Sequence, residues 1–141
     1  MKRGWIAVIV LLAFLCLGGA ALARAWTHRT SSGRIPAEAR APVGQRVRVQ
    51  VLNATTTRGL ARRATRLLRD GGFDVVEVGT LPQTRDSTLV LDLSGHPDWA
   101  KRVAALFGGA RVEPRADSAR YLDITVLVGA SWRPPAEPFY P

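Results

Sequence analysis

The chain has 141 residues and a formal net charge of +9, a length that suggests one folded domain with a modest core. Eighteen of its 20 basic residues are arginine, so the positive charge comes as planar forks suited to phosphate or carboxylate groups, although genome base composition would give the same bias. One cysteine, Cys16, and two histidines, His28 and His96, exclude an internal disulfide and a cysteine metal site, and neither histidine has a partner at metal-ligand spacing.

The N-terminus reads as an envelope signal. Lys2 and Arg3 precede residues 4–23, which carry no charge over 20 positions. That length crosses a ~30 Å hydrocarbon layer as a helix. Trp5 and Trp26 sit near its two ends, where aromatic rings favour the membrane interface. Two readings fit. One is an uncleaved anchor, with the bacterial membrane as partner through Ile6 to Ala23. The other is a cleaved signal peptide, with Ala21-Leu22-Ala23 as the small-x-small pattern before the cut. The spanning length favours the anchor. A lipid-modified Cys16 is disfavoured, because Leu15 stands where a small residue is expected. Basic residues are nearly balanced across the run, so charge alone does not orient it. The export-like start places the remainder outside the cytoplasm. Residues 1–26 are thus the anchor or signal. Residues 27–45, "THRTSSGRIPAEARAPVGQ" with no apolar period, read as a flexible linker. Residues 46–130 are the domain, and 131–141 a Pro-rich irregular tail.

Within the domain, "RVRVQVL" alternates Val47, Val49 and Val51 against polar residues, the pattern of a strand with one buried face. Leu60, Ala61, Ala64, Leu67 and Leu68 then recur at helical spacing. Thr56 or Thr57 is placed to cap that helix, and Gly71-Gly72 to stop it. Residues 73–79 form a second strand and 87–93 a third. Pro97 and Asp98 suit the first turn of a second helix, and Gly108-Gly109 its end. "ARVEP" reads as a short edge strand stopped by Pro114. "YLDITVLVG" reads as a central strand. The order is β-α-β-β-α-β-β, or β-α-β-β-α-β if the short piece fails. Two helices on one face of a small sheet give an α+β sandwich, preceded by an N-terminal transmembrane helix.

Enzyme signatures are scarce. Ser87, Ser94 and Ser131 lack a nucleophile-elbow context. Carboxylates are scattered, and His96 stands alone before Pro97. No catalytic residue, metal or cofactor is expected. Two candidate binding features remain. The first is the loop between strand and helix, where Asn53, Thr55, Thr56 and Thr57 offer polar groups beside a helix N-terminus that favours anions. It lacks the Gly-Lys-Ser/Thr element of a phosphate loop, and capping alone would explain its composition; a small enzyme acting on a phosphorylated ligand at residues 53–57 is the alternative reading. Asn53-Ala54-Thr55 also matches a glycosylation sequon. The second is the stripe of Arg58, Arg62, Arg66 and Arg69 at three-and-four spacing, with Arg63 beside it. Such a face suits an anionic headgroup or wall polymer, or simply solvent. Nucleic acid is not expected, since no aromatic platform interleaves the arginines.

The stretch "VLNATTTRGLARRATRLLRDGGFDVVEVG" resembles the C-terminal domain of LytR-type proteins of the LytR-CpsA-Psr group. The matching residues are Val51, Leu52, Asn53, Thr55, Gly59, Leu60, Ala61, Gly72, Phe73 and Val75, and "DITVLVG" resembles the closing strand. The likeness covers residues 46–129. Ala54 replaces the family's usual glycine, and Thr56 stands where a second glycine is frequent. In large family members this domain follows a phosphotransferase domain, which this chain lacks. The resemblance therefore implies an envelope location and a binding role toward a wall polymer or envelope protein, not transferase activity.

Overall fold

The computed structural model describes residues 34–116 and 121–136. The apolar run and its expected transmembrane helix lie outside the described residues. Among the described residues, no helix is long and apolar enough to cross a membrane.

Five strands form one sheet: β1 (Arg48–Asn53), β2 (Asp74–Thr80), β3 (Leu89–Asp92), β4 (Arg111–Pro114) and β5 (Ile124–Val128). Helix α1 (Leu60–Asp70) joins β1 to β2, and α2 (Pro97–Leu106) joins β3 to β4. The spatial order is β2-β1-β5-β3-β4. The element order matches the longer of the two sequence readings, and β5 is central as its composition implies. β1 runs parallel to β2 and β5, β3 runs parallel to β4, and β3 meets β5 antiparallel. Each helix is therefore a crossover between parallel strands. Such crossovers are right-handed. Starting from β1 and from the oppositely directed β3, and stepping outward to opposite edges, right-handed crossovers put both helices on one face.

A single core follows from that arrangement. Val47, just before β1, and Val49, Val51, Val90, Ile124, Val126 and Val128 from the sheet pack with Ala64 and Leu68 of α1 and Val103 of α2. Burial in β1 alternates from Val49 onward, as the period-two pattern requires. On the opposite face Leu89, Leu91 and Leu127 form a smaller buried cluster. Gly129 shows how tightly the sheet end closes. A Cβ built there would lie 2.2 Å from the Ser87 carbonyl carbon.

Both helices end as the Gly-Gly pairs suggest. Gly72 (φ +86°) takes the left-handed position after α1, where Gly72 N–H donates to Arg69 O and Phe73 N–H to Leu68 O. Gly108 (φ +73°) repeats the device after α2, with Gly109 N–H donating to Ala104 O. These are the paired bonds of a Schellman stop.

Two readings need correction. No side chain caps α1; the residue before it is Gly59, at φ +84°. The expected Thr56 or Thr57 cap is absent because the chain reaches the helix through a left-handed glycine, which keeps both threonines outside the first turn. Second, ordered packing begins before residue 46, inside the stretch expected to be a flexible linker. Ala37–Ala39 form a 3-10 turn, Ala39 is buried, and Ala41 N–H donates to Gly71 O at 2.8 Å. At the other end, Trp132 is buried against Phe107, with ring centroids 5.1 Å apart. The first part of the tail thus belongs to the core.

Candidate functional site

The loop after β1 is closed by its own side chains. Asn53 and Thr55 are both buried. The Thr55 hydroxyl donates to Asn53 Oδ1 at 2.8 Å, and Asn53 Nδ2 donates to Thr57 O at 3.0 Å. Thr57 N–H donates back to Thr55 Oγ1 at 3.0 Å. The loop backbone is held as well. Ala54 N–H donates to Val128 O, Leu81 N–H to Asn53 O, and Arg85 N–H to Ala54 O. Of the four polar loop residues, Asn53 and Thr55 therefore build the loop, and only Thr56 and Thr57 are exposed. The sequon asparagine is enclosed in the same network.

Past this loop the chain turns at Gly59 into α1. Arg63 N–H is the first in the helix to find a turn partner, Gly59 O at 3.1 Å. The earlier amides of the first turn receive no side-chain cap, and no acidic residue lies there. Arg62 and Arg63 occupy that turn instead. Cations at a helix N-terminus oppose the macrodipole, which favours anions. The α2 start shows the usual arrangement, with Pro97 in first position and Asp98 in the first turn.

Thr57, Arg58, Gly59, Leu60, Arg62, Arg63 and Arg66 line a shallow concavity of about 350 Å³ at this point. Its described lining holds no carboxylate. Arg63 and Arg66 already engage partners of their own. The side chains of Arg58 and Arg62 form no hydrogen bond or ion pair among the described residues. Arg69 departs from the stripe. Its Nη2 donates to Val75 O of edge strand β2 at 3.1 Å, and Arg69 is not among the residues that line the concavity. The structure thus gathers Arg58, Arg62 and Arg66 with Thr57, and sends Arg69 to the sheet edge.

The opposite end of β1 is tied differently. Arg48 binds Asp123 by its backbone N–H (2.8 Å), Nε (3.1 Å) and Nη2 (3.3 Å). The hydrogen bond to Asp123 raises the Arg48 guanidinium above its ordinary value, and burial opposes it. This pair clamps β1 to the approach of β5. Tyr121 OH donates to Glu77 Oε2 at 3.0 Å, which raises the phenol above its usual range. Sequence reasoning gave neither pair, because the partners are 75 and 44 residues apart. Among the described residues no cluster could hold a metal ion.

Residues 46–132 match the family model described as LytR cell envelope-related transcriptional attenuator. The chain is also similar to a solved structure, "Solution Structure of the C-terminal domain of RV0431", at 30% identity. That match covers 72% of this chain and 81% of the other, with a TM-score of 0.41. No curated protein is significantly similar to the chain.

Proposed function

The chain belongs to the LytR C-terminal family of cell envelope-related attenuators, and we propose that it is a membrane-anchored, non-catalytic envelope module that binds an anionic ligand at the start of α1. The ligand class is a phosphate- or carboxylate-bearing wall polymer, or an acidic surface of an envelope protein. The observation that carries this reading is the first turn of α1. It has uncapped amides, no acid, and Arg62 and Arg63 in its place. Arg58 joins them around one concavity. Such a start costs helix stability, and an anion would offset that cost through the amides, the dipole and the guanidinium forks together.

The site also sits well for display. The chain enters the domain at Ile35–Ala41, beside Gly71 and the start of β2. The concavity is at the other end of β1. Six residues of strand separate the two levels, about 20 Å. An anchored domain would thus hold the basic end away from its point of attachment.

Retention of the purified protein on a teichoic-type polymer tests the binding. The wild type should be retained and released by salt, because exposed charges are screened. Arg58→Gln together with Arg62→Gln should abolish retention. Equal retention of that variant would remove the site. N-terminal sequencing of native protein tests the anchor: a start at Met1 or Lys2 supports it, and a start at Arg24 means a secreted form.

A further inference from the structure

We propose that the outer edge of β2 receives an extended acidic segment of a partner protein as an added strand, with Arg62 and Arg69 of α1 pairing its carboxylates. This goes beyond the anionic site at the start of α1. It uses the sheet edge, and Arg69 does not line the concavity.

The first observation is the edge itself. The sheet ends in β2 on one side and in β4 on the other. β4 is 4 residues long and closes with Pro114, which has no N–H to offer a further strand. β2 is 7 residues long, "DVVEVGT", and carries neither proline nor lysine, the residues that commonly blunt an exposed edge. Leu81 N–H donates to Asn53 O of β1. Successive residues of a strand direct their backbone groups to alternate sides, so Gly79 and Glu77 also turn toward β1. Val78 and Thr80 then direct theirs outward, where no strand lies among the described residues.

The second observation is what lies along that edge. Among the described residues, Val76 (41% exposed) and Val78 (51% exposed) are large hydrophobics left open to solvent on β2. Val78 pairs with Val51, which belongs to the helix-side core, so Val78 faces the helix side. The ladder shifts between Val49 and Gln50, which makes Val76 a bulge residue, and Arg69 Nη2 covers the Val75 carbonyl. These two features close the first part of the edge and leave Val78 to Thr80 open.

The third observation is charge. α1 joins two parallel strands and so runs opposite to β2. Arg69 is level with Val75. Arg62 is two helical turns earlier, about 10 Å along the axis, which is about three residues of strand. Arg62 therefore lies near the level of Val78, on the same flank of α1 as Arg69. Neighbouring carboxylates do not cancel the pair. Glu77 is on the open face of the sheet beside Gln50 and accepts from Tyr121 OH. Asp74 pairs with Arg46. Asp70 is about 100° further round the helix than Arg69.

An added strand would gain main-chain hydrogen bonds from Val78 and Thr80 whatever its sequence, and its alternate side chains would carry the specificity. On the helix side those side chains would meet Val78 and two guanidinium forks, which suit carboxylates. The same forks disfavour a second copy of this chain, whose own β2 edge would bring arginines against arginines.

The full chain, labelled with nitrogen-15 and held in detergent micelles, is mixed with a synthetic peptide of alternating glutamate and valine, as long as β2. Amide exchange at Val78 and Thr80 should slow severalfold, and high salt should reverse the effect. A peptide with lysine in place of glutamate, and a glutamate peptide N-methylated throughout, should leave exchange unchanged. No slowing with the glutamate peptide, or equal slowing with either control, would overturn the inference. Slowing that grows with protein concentration in the absence of peptide would also overturn it, by assigning the edge to a second copy. Arg69→Gln should weaken peptide binding severalfold and leave retention on a teichoic-type polymer as in the wild type, and Arg69→Lys should bind the peptide better than Arg69→Gln. Peptide binding unweakened by Arg69→Gln would overturn the pairing. Polymer retention that fails while the peptide still protects the edge would remove only the site at the start of α1, and the opposite result would remove only this inference.

Discussion

The Thr55 hydroxyl donates to the side-chain oxygen of Asn53 at 2.8 Å, inside a loop where both residues are buried. Every polar atom of that contact has its partner within the loop. Residues that look like ligand donors in the sequence are therefore the struts that hold β1 to α1. Asn53→Ala or Thr55→Ala should each destabilise the fold by about 1–3 kcal/mol, because each leaves a buried partner unsatisfied. Urea titration checks this, and Thr55→Ser should recover most of the loss.

Two glycines separate backbone strain from steric exclusion. Gly59 adopts φ +84° with open space around a built Cβ. Gly59→Ala should cost about 1–2 kcal/mol, the penalty of a left-handed residue with a side chain. At Gly129 the added methyl would meet the Ser87 backbone at 2.2 Å, and backbone has nowhere to move. Gly129→Ala should exceed the roughly 1–3 kcal/mol of ordinary overpacking. Thermal melts of the two variants should rank in that order.

At the start of α1, stability and binding should pull apart. Arg62→Glu places an acid where the macrodipole favours one. It should leave stability unchanged or raise it by about 0.3–1 kcal/mol, while removing polymer retention. A variant that lost both stability and retention together would show that Arg62 has a packing role instead.

Tyr121 offers a pH test. Its phenol is raised above the ordinary tyrosine value by the hydrogen bond to Glu77 and by that carboxylate's charge. Ionising Tyr121 would set two negative groups together and break the bond. The interaction is therefore complete below the normal tyrosine range, about pH 10. It is lost as pH rises through the raised value. Glu77→Gln should bring the Tyr121 titration back down, measured by phenolate absorbance.

Much of the fold was legible because it is local. The alternation of Val47, Val49 and Val51, the stripe from Leu60 to Leu68, and the Gly-Gly stops each depend on neighbours within one turn or one strand. What stayed hidden depends on contacts far apart in sequence. The Arg48–Asp123 clamp and the burial of Trp132 against Phe107 arise only when β5 inserts beside β1. The stretch at Ala37–Ala41 is Ala- and Pro-rich and has no periodicity. Its order comes from Arg102, whose Nη1 donates to Arg40 O from 62 residues away. In the candidate site, spacing alone grouped Arg58, Arg62 and Arg66 correctly. It misplaced Arg69, since helical phase does not show that a long side chain at the last turn can reach the Val75 carbonyl. For the loop the sequence left a ligand contact and a structural role both open, because it shows that Asn53 and Thr55 are polar and not that they bond each other.

The most direct test of the account is a nitrogen-15 NMR titration of the protein with a teichoic-type polyanion, at low and at high salt. The account predicts shift changes centred on Thr57 to Arg66, largest at the amides of Leu60 to Arg62, and lost at high salt. Changes centred on another surface, or none at low salt, would contradict it.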